Sequence, residues 1–128
     1  MPRLVLYIIS AMFVISAIGV LRIEKPHNSG RAYLTPSEAM AHLGSIQTVR
    51  FNVGYTYQDH NGTEFLDQYA DYSSGFVVGI YPNYLYRFSF DPASFCLYRS
   101  VDVTGTLRWY RGFLEILNPL EITVVKQG

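Results

Sequence analysis

The sequence predicts an all-β domain: a small five-stranded Greek-key barrel with a short N-terminal helix, carried behind one transmembrane or signal helix. Three observations predict it. Residues 4–21 (LVLYIISAMFVISAIGVL) carry no charge. From Ile46 onward, runs rich in β-branched and aromatic residues alternate with clusters of Gly, Pro, Asn and Asp, the composition of strands and turns. Glycines stand inside the first and fourth of those runs, at Gly54 and Gly105, where bulges help a small barrel close.

The charge-free segment comes first. Eighteen residues in a helix span roughly 27 Å, close to the roughly 30 Å hydrocarbon core of a bilayer. Arg3 precedes the run and Arg22 follows it, so both ends can reach headgroups. The segment also fits a cleaved secretory signal, with Met1–Arg3 as the basic region and Ala17 and Gly19 near a cleavage site. Continuation of the apolar run through Val20 and Leu21 to a cation favours the anchor. Cations at both ends specify orientation weakly. A short N-terminus leading a translocated body places the body on the extracytoplasmic side, or makes it secreted or periplasmic if the segment is removed. Residues 1–22 are thus the membrane segment, 23–34 a polar linker and 35–128 the body.

Charge divides along the same line. Up to Arg31 there are four cations against Glu24 alone, and from Ala32 onward nine carboxylates against six cations. A basic stem and a mildly acidic body give no general pull on a polyanion. Cys96 is the one cysteine, which excludes an intramolecular disulfide and a multi-cysteine metal site; between Phe95 and Leu97 it reads as a small buried residue.

Within the body, Thr35-Pro36-Ser37-Glu38 predicts a helix start. Thr35 caps, Pro36 takes the first turn and Glu38 completes a capping box. Gly44 ends the helix, and Met40 and Leu43 are expected to dock on the body. Strands follow over Ile46–Tyr57, Thr63–Tyr69, Phe76–Tyr81, Ser100–Tyr110 and Phe113–Leu117, with Ile122–Val125 closing the chain. Asn61-Gly62 is a hairpin signal, and Arg111-Gly112 a turn. Val101, Val103 and Leu107 are read on shifting faces about Gly105. Residues 82–99 form a long irregular connection between the third and fourth strands, as in barrels of the OB type.

Three segments then carry a resemblance: Ser37-Glu38-Ala39 through His42-Leu43-Gly44 with Thr48-Val49; Glu64-Phe65-Leu66 with Phe76 to Tyr81; and Val101 to Leu107 with Tyr110-Arg111-Gly112, Glu115-Ile116 and Pro119. Together they resemble a bacterial OB-fold domain found alone and attached to nuclease-like proteins. The family's first-strand glycine corresponds to Phe51. Nucleic-acid binding is what the resemblance implies, and fold by itself does not establish it.

Aromatic residues make up 16% of the chain, eleven of them tyrosine. On the strand faces, Tyr55, Tyr57, Phe65, Tyr69 and Tyr81 can stack on a ligand, beside Arg50, Arg108 and Arg111 as cationic partners; tyrosine is also simply favoured in strands. In the loop, Tyr84, Tyr86 and Arg87 read as a protein-contact patch or as a packed lid. The carboxylates Asp59, Glu64, Asp67 and Asp71 beside the face oppose phosphates. His27, His42 and His60 are scattered, so neither metal nor cofactor is expected. No nucleophile elbow or phosphate-cradling loop is present. The chain therefore reads as a non-catalytic, membrane-tethered binding domain. Membrane lipid is met through residues 4–21, and protein contact is the leading function. Single-stranded nucleic acid or oligosaccharide on the barrel face is the alternative, its nucleic-acid form disfavoured by the acidic body.

Overall fold

The computed structural model describes residues 31–126. The predicted segment over residues 4–21 lies outside them. Among the described residues no helix is long and apolar enough to cross a membrane.

The body is built on β-sheet, with seven strands in place of the five predicted. The first predicted strand is two, β1 (Ile46–Asn52) and β2 (Tyr55–Gln58), parted at Val53 and Gly54. The others are β3 (Glu64–Asp67), β4 (Phe76–Ile80), β5 (Ser100–Tyr110), β6 (Phe113–Leu117) and β7 (Glu121–Val124). Hydrogen-bonded neighbours run β1-β5-β6-β4-β3-β2, with β7 paired to β5. All pairings are antiparallel except β4 with β6. The path starts on β1 and ends on β2, which are not paired with each other. Gly54 permits the corner, because a Cβ there would lie 2.5 Å from the Gln68 carbonyl oxygen.

Strand alternation sorts the two faces. Leu66, Val78, Ile116 and Leu107 form one inward row across β3, β4, β6 and β5, each fully buried. Val49, Val103 and Ile122 extend the core across β1, β5 and β7. Val101, Val103, Gly105 and Leu107 are all buried, so they share one face of β5, contrary to the shift expected at Gly105. That glycine makes room instead: a Cβ would stand 2.5 Å from Ile116 Cγ2.

The capping box forms as predicted, with Thr35 and Glu38 capping α1 (Pro36–Ala39) reciprocally. Arg31 binds the Glu38 carboxylate at 2.7 Å. The helix lasts one turn and tightens into a 3₁₀ turn at Met40–His42. Met40 and Leu43 remain exposed, against expectation, while Ala39 and Leu34 enter the core. One turn presents a single residue inward, and Leu34 is drawn in by its bridge to Val49. The long connection is partly regular, holding a 3₁₀ segment at Pro82–Arg87 and α2 (Pro92–Cys96). Cys96 is fully buried there, and burial pushes its thiol up to about 11.

Candidate functional site

The outward face of the β2-β3-β4-β6-β5 sheet is where the chemistry collects. Register places Tyr55, Asp67, Val77, Glu115 and Arg108 in one row across the five strands. The next row on that face is Tyr57, Phe65, Gly79 and Leu117. Tyr110 and Phe113 add a third pair beside the β5–β6 turn. Arg111 and Gly112 make that turn with φ of 48° and 91°, the left-handed pair that a two-residue hairpin needs.

These rows enclose a cleft of about 340 Å³ lined by Tyr57, Phe65, Tyr72, Tyr81, Tyr110 and Phe113, with Asp67, Glu115, Arg108 and Arg111 among them. Its volume lies within the range of small-ligand sites. The Tyr57 and Phe65 rings stack at 4.8 Å and 17°. Phe113 meets Tyr72 and Tyr110 edge-to-face at 5.3 and 5.8 Å.

The polar groups are unequal. Glu115 accepts a hydrogen bond from Arg108 Nε at 2.8 Å, and its side chain is almost wholly buried. Asp67 is 2% exposed, and its Oδ1 accepts no hydrogen bond. Burial, reinforced by the charge of Glu115, pushes its carboxyl up to about 7. Tyr57 holds its proton more tightly than usual, through burial and then the Asp67 charge. Arg108 and Arg111 both lie against the Tyr110 ring, at 4.6 and 5.3 Å from its centre.

Of the predicted face residues, Tyr57, Phe65, Tyr81, Arg108 and Arg111 line this cleft and Tyr55 flanks it, its ring 5.8 Å from that of Tyr57. Tyr69 lines a separate groove of about 460 Å³ with Met40 and Trp109. Arg50 is elsewhere: it pairs bidentately with Asp102 and covers the Tyr33 ring at 3.8 Å. In the loop, Arg87 donates to the carbonyls of Asn118 and Pro119 at 2.9 and 3.0 Å and lies over Tyr84, which packs on the core. Tyr86 alone of that trio is largely free, at 78% exposed.

No known family matches the chain, and no curated protein does. Among solved structures it is similar to a structure described as an OBody bound to hen egg-white lysozyme, with 18% identity and a TM-score of 0.49, covering 84% of this chain and 99% of the other.

Sequence reasoning about the face missed Tyr72, Tyr110 and Phe113, and read Asp67 as a solvated carboxylate opposing phosphate, whereas it is buried. Two of these were within reach. Residues flanking a two-residue turn face each other across the hairpin, which pairs Tyr110 with Phe113. Glu115 stands between the inward Leu114 and Ile116, so alternation turns it outward beside Phe113. Tyr72 comes from a 3₁₀ turn (Tyr72–Ser74) that follows from no strand pattern. A third buried carboxylate, Glu64, accepts from the Ala93 amide at 2.9 Å and shares a hydrogen bond with Asp91; burial first, then that bond, raises it to about 7. It fastens α2 to β3 and faces away from the cleft's ligand-accessible rings. Among the described residues no cluster of three metal-ligating side chains occurs.

Proposed function

We propose that this chain is a membrane-tethered, non-catalytic binding domain with an OB-like barrel, and that its ligand lies on the aromatic face of β3 and β4. Counting β1 and β2 as one bent strand makes the order of neighbours a circuit of five strands, with β7 as an added edge. A partly open five-stranded Greek-key barrel is the OB arrangement, and its second and third strands carry the binding surface. Those strands are β3 and β4 here. The observation that carries the reading is the cleft itself, where exposed rings and a buried carboxylate with one unpartnered oxygen, Asp67 Oδ1, converge on that surface. The charge-free segment 4–21 tethers the domain, and the body faces the extracytoplasmic side.

Protein contact through the loop is the second reading, carried by the exposed ring of Tyr86. Placing a photo-crosslinking amino acid at Tyr57, Tyr110 or Tyr86 in cells separates the two. Adducts from positions 57 and 110 support the face; adducts from 86 alone support the loop and end the face reading. Alkaline carbonate extraction tests the tether, since full-length protein stays with the membrane and a chain lacking residues 4–21 does not.

A further inference from the structure

Charges of both signs meet in the cleft, and they are sorted. Asp67 stands on β3 and Arg108 on β5, at opposite sides of one register row, with Val77 and Glu115 between them. Arg111 adds a second cation on the β5 side. A ligand carrying many charges of one sign therefore meets a repelling group wherever it lies. Phosphates face Asp67, Glu115 and an acidic body; lysines face Arg108 and Arg111.

A neutral ligand rich in hydroxyls meets no such conflict. A hydroxyl donates one hydrogen bond and accepts others, so it can donate to Asp67 and accept from a guanidinium. Asp67 Oδ1 lacks a donor although its residue is 98% buried, the complement of its 2% exposure, and a buried acceptor left unpaired is costly. Around the cleft, Tyr57, Tyr72, Tyr81 and Tyr110 are all exposed, as flat apolar platforms with polar tips.

We infer that the cleft binds a neutral saccharide, its hydroxyls taken by Asp67 and by the Arg108–Glu115 pair, and its apolar C–H faces laid on the tyrosine rings. The inference rests on the proposed role of this face and names the ligand class for it.

The test uses the full chain in lipid nanodiscs, because sugar-headed detergents would compete. Titration calorimetry with uncharged linear oligosaccharides of glucose, mannose and N-acetylglucosamine is run beside an oligothymidylate and an oligolysine peptide. NMR of tyrosine-labelled protein locates each bound probe. At least one neutral oligosaccharide is expected to bind, with affinity unchanged by salt, whereas phosphate contacts weaken as salt rises. Asp67→Asn, which keeps the volume, and Tyr57→Ala, at an exposed ring, should each weaken that binding at least tenfold; Tyr86→Ala should leave it within twofold. Oligothymidylate or oligolysine perturbing Tyr57 and Tyr110 while every neutral sugar fails would overturn the saccharide and leave the face reading intact. If no probe perturbs those rings, both fall.

Discussion

Asp67 and Glu115 stand in one row of the sheet with only Val77 between them, and only Glu115 has a cation. Arg108 reaches Glu115 at 2.8 Å, while Asp67 Oδ1 has no partner. Burial first, and then the charge of Glu115 nearby, makes Asp67 hold its proton up to about pH 7.

Stability should therefore fall as pH rises from 5 to 8. The folded Asp67 has a pKa near 7 against 3.8 for the ordinary group, so between those values the folded state binds the extra proton. Its contribution is complete below the lower value and lost as pH climbs through the upper one. Glu64, raised to about 7 as well, acts in the same direction. Asp67→Asn should flatten the slope and stabilise the protein at pH 8 relative to wild type, because it removes the carboxylate charge that burial penalises. Thermal melts of both proteins at pH 5 and 8 measure this; an unchanged slope in the variant would remove Asp67 as its source.

The two arginine pairs of the sheet should differ in worth. Arg108→Ala leaves a Glu115 side chain that is 5% exposed without its cation, at a cost of about 2–4 kcal/mol. Arg50→Ala breaks a more exposed pair with Asp102 and a stack on Tyr33, together about 1 kcal/mol. Urea denaturation ranks them, and equal losses would contradict the difference in burial.

Gly105→Ala should be among the most damaging single-methyl additions. The new carbon would stand 2.5 Å from Ile116 Cγ2 and 3.3 Å from Pro119 Cα, so side chain and backbone must both give way. Overpacking of this kind costs about 1–3 kcal/mol. Gly112→Ala, with open space around it but φ of 91°, fails through backbone strain alone and should cost less. A midpoint for Gly105→Ala equal to wild type would show that β5 yields more easily than its contacts imply.

Arg87→Ala should loosen the connection between β4 and β5 without touching the sheet. The guanidinium is held by the carbonyls of Asn118 and Pro119, and bonds from a charged donor contribute about 1.5–3 kcal/mol. Amide hydrogen exchange should quicken at Tyr84 and Phe88, whose amides bond within this segment, and stay slow at Val78 and Ile116.

Much of the sheet was legible because its signals are local. The capping box, the Asn61-Gly62 hairpin, the Arg111-Gly112 turn and the span Ser100–Tyr110 all stand where residue chemistry placed them. What failed depended on distant partners. Met40 looked like a docking residue until the helix proved to be one turn long, and Gly105 looked like a point where faces change until Ile116 supplied another reason for a glycine. The cleft was half legible: exposed rings on strands can be guessed by alternation. Asp67 gains its meaning from Val77 and Glu115, residues on strands that meet only through the parallel pairing of β4 with β6.

The pairing of β1 with β5 also sets a schedule. Arg50 and Asp102, joined across it, are 52 positions apart. Synthesis at about 5–20 residues per second puts roughly 3–10 s between the two. Through that interval β1 is a strand rich in β-branched residues with both edges open, short of the bridge from Leu34. A nascent chain in this condition can add to any other open strand it meets. The long separation between β1 and its partner thus makes the time before β5 appears the period in which the chain is most open to wrong pairing.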